Sequence, residues 1–258
     1  MKKIRQTLKK IVPLKILVLF VRTMRNKRGF FYRLNLFLKY FKDYRNYKKL
    51  ANNQSFNIRS QDLYPCIYDK TETTEIDPVY FYQDAWCAGK VFKNNPKHHY
   101  DVASQAHMIA IISEFVPTTM IDIRPITLTS LPNLFFKKGD VLNLPFKNGE
   151  IDSLSSICVI EHIGLGRYGD PLDQFGSEKA LAEMIRVLSS GGNLYISVPV
   201  DNDNRIYFNA HRAFTREYIL KLTSSLKLIE EKYIYGDKMF DSYDESKGFG
   251  TGLYHFRK

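Results

Sequence analysis

From residue 97 onward, short apolar runs alternate with stretches whose apolar positions recur every three or four residues. The runs at 97–102, 118–123, 134–138, 151–160, 193–198, 227–235 and 252–256 predict strands, and 106–115, 177–188 and 215–226 predict helices. Strands separated by helices need crossover connections, so the expected fold is α/β with a mostly parallel sheet. The last two runs can pair as an antiparallel hairpin at one edge. Upstream, 63–68 reads as a strand and the aromatic stretch 80–86 leads into a helix.

A different pattern occupies residues 1–50. Ile4, Leu8 and Ile11, then Leu17, Phe20 and Val21, then Phe30, Leu34, Phe37, Phe41 and Tyr44 recur at helical spacing with Lys and Arg between them. Two basic amphipathic helices parted near residues 26–29 are expected. The polar stretch 51–61 reads as a linker, and 62–258 as one α/β domain.

Charge sharpens this division. The 258-residue chain carries +11, but residues 1–50 hold 16 Lys or Arg against the single acid Asp43, a net +15. The other 208 residues hold 22 bases and 26 acids, a net −4. A polyanionic partner is therefore expected for the N-terminal segment alone. An anionic membrane surface suits helices with aromatics on one face and cations beside them; packing on protein is the plainer alternative, and RNA binding a third. The apolar run 14–21 contains Lys15, falls short of the roughly 20 residues that span a bilayer, and has no small-residue cleavage site after it. Cys66, Cys87 and Cys158 form no CxxC pair. A cytoplasmic location, peripheral on the inner membrane, is the expectation.

In an open α/β sheet, ligands bind beyond the carboxyl ends of the strands. Those positions are polar here: Asp101-Val102-Ala103-Ser104, Ile121-Asp122-Ile123-Arg124-Pro125, Gly139-Asp140-Val141-Leu142, and a run from Glu161-His162 through Arg167-Tyr168 and Asp170 to Asp173. A segment ending in Arg186-Val187-Leu188 and Gly191-Gly192 then feeds a strand closing in Ser197-Val198-Pro199. This order resembles the class I S-adenosylmethionine-dependent methyltransferases, a Rossmann-like fold. Residues 121–125, 161–173 and 208–212 further resemble a bacterial methyltransferase-like family classed as a domain of unknown function, over about 62–258.

The resemblance implies S-adenosylmethionine as cofactor, with Asp122 on the ribose hydroxyls, Asp140 and Val141 at the adenine, and Asp101, Ala103 and Ser104 at the methionine end. His162 follows the strand that faces the reacting centre, so it is a candidate general base, since an imidazole near neutrality suits that role. His211 is a second candidate. Glu161, Arg167, Tyr168, Asp170, Asp173 and Asn209 would bind the acceptor, a small molecule or glycan such as a sugar or polysaccharide precursor.

One position departs from the pattern. Ala103 stands where such folds carry glycine, and no glycine occurs between 91 and 138; a positive φ there would strain an alanine. A catalytically inactive binding or scaffold protein is therefore an alternative to the enzyme, and an RNA-binding module another. Glu161, His162, Asp170, Asp173 and His211 follow no recognised metal-ligand spacing.

Overall fold

A computed structural model describes residues 29–50, 55–56, 58–124, 126–128 and 130–258. The chain divides into two compact units, 1–75 and 76–258, later than the 61/62 boundary suggested by the polar linker. The first expected basic helix, residues 51–54 and 57 of the linker, and Pro125 lie outside the described residues.

In the first unit, helix α1 (Phe30–Lys49) realises the second basic segment. Its one buried residue is Phe37, which meets Phe41 edge-on at 5.1 Å, while Phe31, Leu38 and Tyr47 are exposed. The strand expected at 63–68 does not form; a 3-10 turn (Ser60–Asp62) precedes extended chain. Pro65 supplies no N–H to a ladder, which explains the miss.

The second unit runs α2 (Pro78–Asn94), β1 (His99–Val102), α3 (Ala106–Ser113), β2 (Thr118–Asp122), β3 (Leu134–Lys138), β4 (Ile151–Ile157), α4 (Gly176–Val187), β5 (Leu188–Val200), β6 (Arg205–Tyr207), β7 (His211–Ala213), α5 (Arg216–Leu222), β8 (Lys227–Tyr235), β9 (Lys238–Phe240) and β10 (Gly250–Arg257). Helix α2 starts where Asp77 accepts from the backbone N–H of Val79 at 2.9 Å, with Pro78 at the first helical position, and ends at Asn95 in the left-handed region.

Among the described residues, eight strands form one sheet in the order β3-β2-β1-β4-β5-β10-β8-β9. β1 to β5 are parallel, and β10 enters antiparallel between β5 and β8. The last two long runs thus pair antiparallel as expected, with β10 inside the sheet and the short β9 at the margin.

Both faces of the sheet are covered. In β5, Leu194, Ile196, Val198 and Val200 face one core with Ala180, Leu181 and Met184 of α4, while Tyr195 faces the other with Trp86 of α2 and Met108 and Ile112 of α3. This period-two division is why the central strands show no polar alternation. It leaves the carboxyl ends of β1, β2, β3 and β4 along one open margin.

Gly250 marks the tightest strand contact: a Cβ there would lie 2.7 Å from the Ile234 carbonyl oxygen and 2.6 Å from the Tyr235 ring. Gly250→Ala is expected to cost about 1–3 kcal/mol, seen as a lower urea midpoint with an unchanged m-value.

Candidate active site

A cavity of about 360 Å³ opens at that margin, within the size range of small-molecule sites. It is lined by the ends of β1 (Val102, Ala103), β2 (Ile121 to Arg124), β3 and its turn (Lys138 to Leu142), and the loops after β4.

Two lining residues without glycine's freedom occupy the left-handed region: Ala103 at φ 54° and Cys158 at φ 52°. Each conformation costs roughly 1–2 kcal/mol, so the surroundings must hold it. At Ala103 the holding group is Asp101, whose carboxylate accepts from the Ser104 N–H at 2.9 Å and the Ser104 hydroxyl at 2.6 Å, and from the Ser155 hydroxyl of β4. The Ser104 oxygen in turn accepts from the Ile157 N–H at 2.9 Å, and Ser155 meets the buried His99 ring at 3.0 Å. The Ala103 N–H bonds the Ile121 carbonyl of β2 at 2.9 Å. Burial pushes the Asp101 carboxyl up to about 6, against the hydrogen bonds from Ser104 and Ser155. Asp101 and Ser104 are therefore committed to the turn beneath the cavity and do not line it, so their expected contact with a methionine end is not what the structure shows.

Asp122 and Asp140 behave differently. Asp122 lines the cavity at 8% exposure; its Oδ1 accepts from the Arg124 N–H at 2.8 Å, and Oδ2 has no hydrogen bond among the described residues. Asp140 spends Oδ1 on the Leu142 N–H at 2.9 Å and also keeps Oδ2 free. Val141 and Leu142 supply apolar wall beside it. Gly139 is required by close approach, since a Cβ would lie 2.7 Å from the Ile121 side chain. At the mouth, the Arg124 guanidinium lies 4.4 Å from the Tyr168 ring centroid and that of Arg167 5.1 Å.

The loop after β4 brings Glu161 and His162 on a 3-10 turn (Ile160–His162). His162 Nδ1 lies 2.6 Å from the Ala210 carbonyl oxygen, which can only accept, so Nδ1 carries the proton and Nε2 keeps a lone pair. Burial holds the imidazole down at about 4, leaving it neutral at physiological pH. Arg167 also donates to the Ala210 carbonyl, at 3.0 Å. Glu161 is 2% exposed with Oε1 3.8 Å from His162 Nε2; burial pushes its carboxyl up to about 8.

The remaining expected acceptor residues build the loop itself. Asp170 accepts from the backbone N–H groups of Gly164, Gly166 and Tyr168, and these bonds hold its carboxyl low, against its partial burial. Asp173 accepts from the Phe175 N–H and the Lys179 ammonium. Gly164 has φ 84° and a Cβ there would meet the Asp173 carbonyl oxygen at 2.1 Å, so only glycine fits. Buried Arg212 donates to the carbonyls of Ile163 and Asp173 and meets the Ser177 hydroxyl, clamping the same loop. His211 does not line the cavity; its ring packs near Tyr207 at 4.9 Å and Phe249 at 5.9 Å. Asn209 is exposed at φ 63° and its amide reaches the Leu165 carbonyl at 3.5 Å. Sequence position found the loop but not these directions, and it missed Arg212, Arg124 and Cys158 as parts of the site.

Folded Glu161 keeps its proton up to about pH 8, whereas an unfolded chain releases it near the ordinary glutamate value of 4.5. The folded state thus binds more protons across that window, and this residue's contribution to stability is lost as pH rises to about 8. Glu161→Gln removes the ionisation. Calorimetric melting should find the variant's Tm gaining on the native chain from about pH 5 to about pH 9; a pH-independent difference would contradict this assignment.

Comparisons with known proteins agree with this geometry at the level of fold. A family model described as "Caenorhabditis protein of unknown function, DUF268" matches residues 142–233, which include 161–173 and 208–212 but not 121–125. No curated protein matches the sequence. Among solved structures, a candidate sarcosine dimethylglycine methyltransferase from Galdieria sulphuraria aligns at TM-score 0.55 and 15% identity, over 72% of this chain and 89% of that one. The N-methyltransferase NodS from Bradyrhizobium japonicum aligns at 0.50 and 15%, over 70% and 97%. The [4+2]-cyclase SpnF aligns at 0.50 and 12%, over 68% and 79%. A cyclase beside two methyltransferases shows that such a scaffold does not dictate one reaction. The 76–258 unit has a methyltransferase-like α/β fold.

Proposed function

We propose that this chain is an S-adenosylmethionine-dependent methyltransferase acting on a hydroxyl of a sugar or polysaccharide precursor, held at the cytoplasmic membrane face by residues 1–50. The observation that carries the reading is the pair of free carboxylate oxygens, on Asp122 and Asp140, along the same cavity that His162 lines.

The lining fits a nucleoside. Asp122 Oδ2 can accept from ribose hydroxyls, Asp140 Oδ2 from an adenine amino group, and Val141 and Leu142 offer apolar wall to the base. At the other end, the Val102–Ala103 backbone and Cys158 bound the space for an amino-acid portion. Ala103 lines that end, and the Asp101 network holds it in its left-handed turn. S-adenosylmethionine, held by these residues, would supply an electrophilic methyl group to the acceptor oxygen, with the carbon–sulfur electron pair retained on S-adenosylhomocysteine. His162 Nε2 takes the hydroxyl proton. Low basicity limits its pull, but its neutral form is fully present down to about pH 5, and positioning accounts for most of the rate in such displacements.

Location rests on charge and exposure. Helix α1 exposes Phe31, Leu38 and Tyr47 and ends in Lys48 and Lys49, and residues 1–50 carry +15. No described helix is long and apolar enough to cross a membrane. Each Lys or Arg near an anionic surface contributes about 1 kcal/mol. The full chain should float with phosphatidylserine vesicles at low salt, and stay behind at high salt or with neutral vesicles.

Titration calorimetry with S-adenosylmethionine and S-adenosylhomocysteine tests the enzyme reading. Native protein should bind both, and Asp122→Ala should weaken binding about 10–100-fold, the loss of hydrogen bonds to a charged acceptor. Ala103→Gly should bind as well or somewhat better. If only Ala103→Gly binds, the chain is an inactive relative on the same scaffold.

A further inference from the structure

Two guanidinium groups lie against one phenol ring at the cavity mouth. Arg124, at the end of β2, has its central carbon 4.4 Å from the Tyr168 ring centroid, and Arg167, in the loop after β4, lies at 5.1 Å. Like charges brought to one ring repel, and a carboxylate beside both would be the ordinary remedy. None serves among the described residues. Arg124 Nε stays 3.7 Å from Asp122 Oδ1, outside hydrogen-bond reach, on a side chain 58% exposed, while Arg167 makes no ion pair and donates to the neutral Ala210 carbonyl at 3.0 Å. The other acids of the loop are occupied. Asp170 holds three backbone N–H groups, and Glu161, which feels the Arg167 charge, keeps its proton up to about pH 8. From this uncompensated pair we infer that Arg124, Tyr168 and Arg167 form the anion-binding rim of the acceptor site, and that the acceptor carries a phosphate or diphosphate group. The inference rests on the methyltransferase reading and narrows its acceptor to a phosphorylated one.

The chemistry of the rim selects that class. A guanidinium stacked on a ring keeps its N–H donors in its own plane, at the edge, where phosphate oxygens can take them in pairs. Arg124 uses none of its side-chain donors in a protein hydrogen bond, and Arg167 uses only Nη1. The Tyr168 hydroxyl can add a further donor. A carboxylate brings two oxygens and one charge, which a single guanidinium satisfies, whereas a phosphate brings more oxygens and up to two charges and suits the pair. An ammonium would be repelled, and a neutral hydroxyl would leave both charges as they are. Lys138 gives the cavity lining another cation. Position fits as well, because the Tyr168 ring meets the His162 imidazole edge-on at 5.5 Å. A phosphate held at the rim therefore brings the rest of the acceptor beside the proton-accepting Nε2, so that binding energy from a group that does not react positions the one that does.

Calorimetry on the full chain at physiological salt, where loose surface attraction is screened, tests the rim with glucose 1-phosphate and inorganic pyrophosphate as probes and glucuronate and methyl glucoside as controls. Both phosphate probes should bind, glucuronate about tenfold more weakly, and methyl glucoside not at all. Arg124→Gln and Arg167→Gln should each weaken pyrophosphate binding about 10–100-fold, the loss of charge-assisted hydrogen bonds. Lys147→Gln with Lys227→Gln removes as much charge at the amino ends of β4 and β8, on the opposite margin of the sheet, and should change the affinity less than about twofold. Should a glutamine variant misfold, side-chain nitrogen-15 NMR on the native chain gives the same answer: pyrophosphate should shift two arginine Nε–H resonances, those that Arg124→Lys and Arg167→Lys remove. Flotation with phosphatidylserine vesicles should be unchanged in the Arg124→Gln/Arg167→Gln double variant. Failure of both phosphate probes to bind, equal binding of glucuronate, or undiminished affinity in the variants, which would move the binding to residues 1–50, overturns the proposal. So does loss of flotation in the double variant, which would assign the rim to lipid phosphates. Calorimetry of S-adenosylhomocysteine on the native chain separates the two readings: cofactor binding without phosphate binding sinks the rim alone, and phosphate binding without cofactor binding keeps the rim and sinks the methyltransferase.

Discussion

The site depends on one buried carboxylate. Asp101 receives three hydrogen bonds, two from Ser104 and one from Ser155, and through them ties the turn after β1 to β4, the next strand of the sheet. That knot holds Ala103 at φ 54°, a conformation an alanine adopts at a cost of roughly 1–2 kcal/mol. It also continues through Ser155 to His99, so the left-handed turn is determined from several sides. The cavity floor is thus set by strand pairing and a polar chain under it, without the glycine that would have made the turn easy. Strain kept by such over-determination is characteristic of functional sites.

With the floor fixed, the cavity sorts its chemistry by strand. β2 and β3 present Asp122 and Asp140, each with one oxygen anchored to its own turn and one free. The loop after β4 presents His162 with its proton pinned on Nδ1 by the Ala210 carbonyl, and Asp170, Asp173 and Arg212 keep that loop in shape. Cys158 stands between the cavity and the buried groups of α2. The two acids and the imidazole therefore arrive from different elements, and the parallel sheet with its covered faces brings them to one margin.

Much of this was legible in the chain. Apolar runs gave β3 and β8 to the residue, since polar turns bound both. Strand-end polarity located Asp122, Asp140, Val141, Tyr168 and His162, all of which line the cavity. Position along a strand does not tell which way a side chain turns, so Asp101 and Ser104, which fold under the floor, read the same as Asp122. Asp170 lines the cavity too, though backbone N–H groups occupy its carboxylate, whereas Asp173, tied to Phe175 and Lys179, and His211 lie outside the lining and read the same in the sequence. The contact of Gln83 with Cys158 was beyond reach, because the two are 75 residues apart and only the fold brings them together.

We propose that the cavity takes an adenosine-bearing cofactor while Asp101 stays with the turn. A crystal structure of the full chain grown with S-adenosylhomocysteine measures both. The expected result is the ribose hydroxyls on Asp122 Oδ2, the adenine amino group on Asp140 Oδ2, and the Asp101–Ser104 bonds intact beneath Ala103. An empty cavity at saturating ligand, or a ligand held by an Asp101 released from Ser104, would contradict it.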